Sequence, residues 1–370
     1  MNNLFNDIRY GIRGLLKQPV LTAIAVLTLA LGIGANTAIF SVVQAVLLRP
    51  LPFPEQERVV VGWKQDATIH NPFVELSVAE INDWKSQSQS FSGLAAMPTT
   101  VYGYGYVLTG RGEPVQLEST KVTGQFFSTL GGQAALGRVF DESDDQVNGP
   151  KVVVLSDQLW HQRFSGDPNV IGQTITLNNT GFTVLGVMPP SFAFPKGVDL
   201  WVPLLTAVPP QSVQDRGMSY LQTIGRLKPG VTVAQASAEL NTIIARLASQ
   251  YPETQTTNHR VVLTPIAAHL FGNAKPALWA LFAATGLLLL IAAANIANLL
   301  LARATRRSRE FAIRAALGAS RFRIVCQLLV ESTVLAVCGS ALGLLVAYWL
   351  VALLLAVAPA DIPRLEEVRL

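Results

Sequence analysis

Apolar residues gather into three long runs along this chain and elsewhere alternate or recur among polar ones. Positions 20–48, 277–302 and 332–358 contain no Asp, Glu, Lys or Arg. Each run exceeds the roughly 20 residues that a helix needs to cross ~30 Å of hydrocarbon, so the pattern predicts three spanning helices with some tilt. Pro19, Pro50, Pro276 and Pro359 punctuate their ends, where a missing backbone N–H costs least. The first run has the position of a signal peptide, behind Arg9, Arg13 and Lys17, but its 29 residues are about twice an ordinary signal h-region, which favours an uncleaved span. Ahead of it Leu4, Phe5, Ile8, Ile12, Leu15 and Leu16 recur at helical spacing, with Asp7, Arg9, Arg13 and Lys17 on the other face. An amphipathic helix over 1–19 suits the membrane interface and suits packing on the same protein equally well.

Between the first two runs, residues 49–275 read as mixed α+β. Ser77-Val-Ala-Glu80 and Thr232-Val-Ala-Gln235 are capping boxes that open helices, the first through Ile81 and Trp84. In the second, Leu240, Ile243, Ile244, Leu247 and Tyr251 form an apolar stripe that needs a sheet or helix to cover it. Strands are predicted at 152–155, 174–177, 182–187, 221–227 and 261–264, with a hairpin turning at 178–181. Tyr102, Tyr104 and Tyr106 alternate with glycines and read as half-buried strand residues.

Composition agrees with a chain partly in lipid: 50% of 370 residues are hydrophobic and 14% charged. Charge then sets the orientation. Residues 1–19 hold three basic side chains and one acidic, and 303–323 holds seven Arg against Glu310 alone. Residues 49–275 hold 16 basic and 18 acidic. Short basic segments stay in the cytoplasm, so the long segment belongs outside. The arginines are thereby explained by topology, and nucleic acid is not needed to account for them. The predicted parts are an amphipathic helix (1–19), spans at 20–48, 276–302 and 324–358, an extracytoplasmic domain (49–275), a cytoplasmic loop (303–323) and an outer tail (359–370). Cys326 and Cys338 share the third helical run, ~18 Å apart at helical rise, too far to pair.

Signatures of catalysis are absent from the sequence. It has no phosphate-binding G-x-x-x-x-G-K-[ST], no H-E-x-x-H, no G-x-S-x-G and no G-x-G-x-x-G between a strand and a helix. His70, His161, His259 and His269 are scattered. Asp141, Glu142, Asp144 and Asp145 invite a cation-loop reading, yet the glycine and distal glutamate of a calcium loop are missing, and a solvated loop is the simpler expectation. The chain is therefore read as no enzyme, with no cofactor and no metal.

The richest stretch joins the second and third spans. Glu310 and Arg314 form an i,i+4 pair on a short helix, and Gly318 is a stop before the next helix begins near Ser320. Arg307, Glu310, Ile313, Arg314, Ala316, Leu317, Gly318, Ala319 and Arg321, followed by Gln327 and Glu331, resemble the pattern R-x-x-E-x-x-I-R-x-A-L-G-A-x-R…Q…E of the MacB/FtsX-type permeases of ABC systems. The runs 7–19, 32–36 and 49–53 are similar to the duplicated orphan permeases of that family. Residues 226–235, Arg-Leu-Lys-Pro-Gly-Val-Thr-Val-Ala-Gln, are similar to the end of the MacB-type periplasmic core domain.

The resemblance implies a membrane protein with three helical spans and a mixed α+β extracytoplasmic domain of MacB periplasmic core type, in the cell inner membrane with its N-terminus cytoplasmic. It implies a homodimer or permease–permease pair coupled to a separate P-loop ATPase, with a periplasmic adaptor or outer-membrane duct among the further partners. Arg307, Glu310, Ile313, Arg314, Leu317, Gly318 and Arg321 would dock that ATPase. Family members carry a fourth span after the third, so the end at Leu370 reads as a truncation. Within the spans, Gln327 and Glu331 lie on one helical face, and a hydrogen bond from Glu331 to Asn295 or Asn298 is expected over a proton relay. Ala30, Gly34 and Ala38, and Gly339, Gly343 and Ala347, repeat small residues every four positions and predict close helix contacts, within the chain or in a dimer. The alternative from the topology alone is a membrane-anchored sensory or binding module without an ATPase.

Overall fold

The computed structural model describes residues 16, 19–48, 51–66, 68, 73–100, 105–253, 258–272, 274–306 and 321–357. Helix α1 (Pro19–Val43) passes into a π turn over Gln44–Leu48. Then come β1 (Val59–Asp66), α2 (Val78–Gln87), β2 (Phe91–Pro98), β3 (Tyr106–Thr109), β4 (Val115–Leu117), β5 (Ser119–Val122) and α3 (Phe126–Leu130). They are followed by β6 (Leu136–Gly137), β7 (Val152–Leu155), α4 (Asp157–Phe164), β8 (Thr174–Leu177), β9 (Thr180–Val187) and β10 (Leu200–Pro203). The order closes with β11 (Leu221–Leu227), α5 (Val233–Gln250), β12 (His259–Pro265), α6 (Ile266–Phe271), α7 (Ala274–Arg306) and α8 (Arg321–Val357). Two compact units result, Pro50–Leu270 and a helical unit containing α1, α7 and α8.

In Pro50–Leu270 a four-stranded antiparallel sheet runs β12-β1-β11-β2. β1 begins with the valines 59–61, buried on both faces of the sheet, where β-branched side chains fit the pleat. Gly62 is forced by crowding. A Cβ there would stand 2.5 Å from Thr223 Oγ1 and 2.7 Å from Leu263 Cδ2, so the two neighbouring strands close over that position. Helices α2 and α5 cover one face, each opened by its predicted capping box. The stripe Leu240, Ile243, Ile244 and Leu247 of α5 joins Val60, Trp84, Leu221 and Leu263 in one core, while Tyr251 caps the helix C-terminus beneath the Arg216 guanidinium. Lys64 of β1 crosses to Glu80 of α2 in an ion pair of 2.5 Å with both side chains buried. The other Glu80 oxygen accepts the Ser77 N–H, so one carboxylate both caps the helix and fixes it to the sheet.

The second sheet is mixed, in the order β4-β3-β8-β9-β7-β10-β5 with β6 added on β9. β7 runs parallel to β9 and β10 parallel to β5. The expected hairpin joins β8 and β9 through Asn178 and Asn179 at φ 47° and 60°, the left-handed pair of a two-residue turn. β9 begins at Thr180 because its ladder with Leu177 starts directly at the turn. Tyr106 lies half-buried in β3, and Tyr102 and Tyr104 fall outside the described residues. Phe53, Phe126, Phe127, Phe192, Phe194 and Trp201 pack ring on ring between the sheets. These residues are spread over some 150 positions of sequence, and no local pattern announces their meeting.

The helical unit holds three helices long and apolar enough to cross a membrane, Pro19–Leu48, Ala274–Ala302 and Leu329–Ala356. α1 packs against both α7 and α8, and Leu300 of α7 also packs on the cluster that Ala25 of α1 forms with Leu335 of α8. Of the amphipathic helix expected over 1–19, all but Leu16 and Pro19 lie outside the described residues.

Candidate functional site

α1 and α8 approach so closely because their small residues meet. A Cβ on Gly34 would lie 2.8 Å from the Gly343 carbonyl oxygen and 2.9 Å from Val346 Cβ. One on Gly339 would lie 2.6 Å from Leu29 Cβ, and one on Gly343 3.1 Å from Ile33 Cβ. Ala30, Ala38 and Ala347 are buried in the same seam-forming helices. In lipid no hydrophobic force draws helices together, and contact depends on such close van der Waals fit. The structure therefore places both stripes in a contact within one chain.

Glu331 is buried on α8 at 2% exposure. Asn295 and Asn298 stand exposed on α7. α1 packs against both the second and third spans, a placement that the spacing on any one helix does not specify. Arg321 is the first residue of α8 and Gln327 lies in its second turn. Arg307, Glu310, Ile313, Arg314, Leu317 and Gly318, the expected ATPase-docking residues, lie outside the described residues. What surrounds them is described: α7 continues past Ala302 to Arg306, and α8 begins at Arg321, ahead of the apolar window that opens at Leu329. At 1.5 Å per residue the 33 residues of α7 and 37 of α8 span about 50 and 55 Å. Both overshoot the ~30 Å hydrocarbon layer.

In the sheet-bearing unit, the acidic cluster is a structural staple rather than a solvated loop. Asp144 takes both Arg138 nitrogens, at 2.6 and 2.9 Å, and the Asp141 N–H at 3.1 Å. Asp145 accepts the Gly124 N–H at 2.8 Å and the Leu205 N–H at 2.7 Å, joining the ends of the parallel strands β5 and β10. Glu142 is paired with Lys85 of α2, and Asp141 accepts from Ser143. The Arg138 hydrogen bonds hold Asp144 below the usual carboxylate range, whereas burial pushes Asp145 up against the pull of its backbone donors. The sequence shows four carboxylates in five positions but not the donors, which come from distant segments.

A cavity of about 580 Å³ opens on the same unit, lined by Trp63, Phe73, Glu75, Thr99, Gln222 and His269 among others. Sequence reasoning did not single these out. They come from five separate segments, brought together by the sheet register and by the helix that follows β12.

Two family descriptions match the chain: the MacB-like periplasmic core domain over residues 22–243 and the FtsX-like permease C-terminal segment over 282–365. The macrolide export ATP-binding/permease protein MacB of Burkholderia lata is 30% identical over 234 residues, 62% of this chain and 32% of that protein. Its counterpart in Escherichia coli K12 is 28% identical over 235 residues, 62% of this chain and 35% of that protein. This chain thus spans about a third of the length of these relatives. The solved periplasmic region of MacB from Actinobacillus actinomycetemcomitans aligns with TM-score 0.42 at 14% identity, covering 59% of this chain and 92% of that one. With the periplasmic-core match extending over more than half its residues and the permease match over its last two spans, the chain belongs to the MacB/FtsX family of permeases.

Proposed function

We propose that this chain is the permease subunit of an ABC-type efflux or mechanotransmission system, driven by a separate cytoplasmic P-loop ATPase. The observation that carries the reading is the Arg307-to-Arg321 pattern between two helices that run on beyond the lipid. A helix transmits displacement along its axis because each turn is hydrogen-bonded to the next. Movement imposed at Arg321 therefore reaches the third span through unbroken helix. The spans lack a row of ionisable side chains, which suits transmission of motion better than a hydrophilic pore.

Arginine-rich 303–323 and the basic N-terminus face the cytoplasm, and Pro50–Leu270 faces the outside of the inner membrane. A second copy of the chain or a related permease pairs with it. The broad uncovered surface of α7, with 11% of its apolar window buried against 28% in α1 and α8, favours a further helical neighbour. A periplasmic adaptor or outer-membrane duct would extend the path outward.

The test is affinity capture of the detergent-solubilised chain from its native cells, comparing wild type, Glu310→Lys, Gly318→Leu and a scrambled 303–323. Recovery of a P-loop ATPase with wild type alone, at equal membrane insertion, is expected. Equal recovery with the scramble, or none with wild type, overturns the reading and leaves an ATPase-independent binding module.

A further inference from the structure

The 580 Å³ cavity has a wall whose chemistry selects one kind of guest. β1 and β11 part beyond Gly62, and the segment around Val74 enters the gap. Val74 and Lys64 exchange backbone hydrogen bonds of 2.7 and 3.0 Å, and the Leu76 N–H bonds to the Leu221 oxygen at 2.7 Å. Strand alternation then sorts the side chains. Lys64, Leu76 and Leu221 face the helices α2 and α5, so Trp63, Phe73, Glu75 and Gln222 share the opposite face of the sheet.

Trp63 forms the floor at 9% exposure. Phe73 packs on it at 5.0 Å between ring centroids and 48° between planes, and His269 at 5.5 Å and 47°. Phe73 itself is 56% exposed and forms part of the mouth. Glu75 is oriented by the Thr99 hydroxyl, which donates to its Oε1. Among the described lining residues Glu75 is the one carboxylate, and no lysine or arginine is present.

The Trp63 and Phe73 rings, with a carboxylate beside them, attract a cation through their negative π faces and by direct charge. A bare metal ion would need more oxygen ligands than one carboxylate supplies, an anion would meet Glu75, and a neutral apolar guest would cover that carboxylate without pairing it. The volume lies in the range of small-molecule sites. We propose that this cavity binds a bulky organic ammonium: a monovalent cation on an apolar body. The site is built from Pro50–Leu270 alone and does not depend on ATPase docking, so the two proposals stand or fall separately.

The test is titration of the detergent-solubilised full chain with benzyltrimethylammonium, followed by saturation-transfer NMR, with benzenesulfonate as a probe of similar size and opposite charge. Wild type should bind the ammonium saturably and benzenesulfonate far more weakly. Glu75→Gln, which keeps an acceptor for Thr99, should weaken ammonium binding about tenfold, and Phe73→Ala, at an exposed position, several-fold. Far-UV circular dichroism and a cooperative thermal transition matching wild type establish that both variants are folded. Absence of saturable binding to wild type, equal binding of benzenesulfonate, or an ammonium affinity unchanged in Glu75→Gln each overturns the proposal.

Discussion

Two residues show how tightly individual positions are specified. Gly34 is at a helix contact where any side chain meets a backbone carbonyl, which cannot rotate away. Gly34→Ala should therefore destabilise the helical unit by about 1–3 kcal/mol, the usual cost of overpacking. Gly286→Ala on α7, where nothing lies within 4 Å, should be neutral or slightly stabilising because alanine is the better helix former. Thermal unfolding of the solubilised chain distinguishes the two, and equal effects would remove the seam from consideration. Lys64 makes the complementary case. Lys64→Met leaves Glu80 charged and buried at 1% exposure, so a loss of about 3–5 kcal/mol is expected in chemical denaturation. Lys64→Met combined with Glu80→Gln should recover part of it, because no uncompensated charge is then left inside.

At the scale of elements, the loop at 141–149 carries opposed pH dependences. Asp144 titrates below its ordinary 3.8 because Arg138 stabilises the carboxylate. Its contribution is present above that value and is lost as pH falls through the lowered pKa. Asp145 is raised by burial, so its contribution is present below 3.8 and is lost as pH rises through the raised value. Denaturation midpoints measured across pH 3–6 should lose part of their acid-side fall in Asp144→Asn, and part of their decline with rising pH in Asp145→Asn. The same slope in both variants would contradict this assignment. Helix α8 invites a mechanical test. Val325→Pro interrupts the helix between Arg321 and the apolar window, where proline removes a hydrogen bond and clashes with the preceding turn. ATPase capture should survive, while permease-stimulated ATP hydrolysis falls toward that of the ATPase alone. Undiminished stimulation would show that force does not travel along this helix.

For the whole molecule, the orientation rests on arginine placement and is open to labelling. Ser86→Cys should react with a membrane-impermeant maleimide in intact spheroplasts, and Ser308→Cys only after permeabilisation; the reverse pattern would invert the topology. Much of this plan is legible in the sequence. The three spans follow from runs without charge, and the helix starts at Ser77 and Thr232 from capping boxes that need only residues three apart. The hairpin follows from two asparagines tolerant of positive φ, and the family from a loop motif contiguous in the chain. These are local signals, set by hydrophobicity, backbone preference or spacing within one or two turns. Only the tertiary structure decided that α1 packs against both other spans, with Gly34 set against Gly343. It also decided that the carboxylates of 141–145 are anchored to Arg138, Lys85 and two distant backbone amides. The cavity walled by Trp63, Phe73, Glu75 and His269 belongs to the same class. Each depends on which segments become neighbours, and that is fixed by sheet register and helix packing across the whole chain, quantities to which no short stretch of sequence is sensitive.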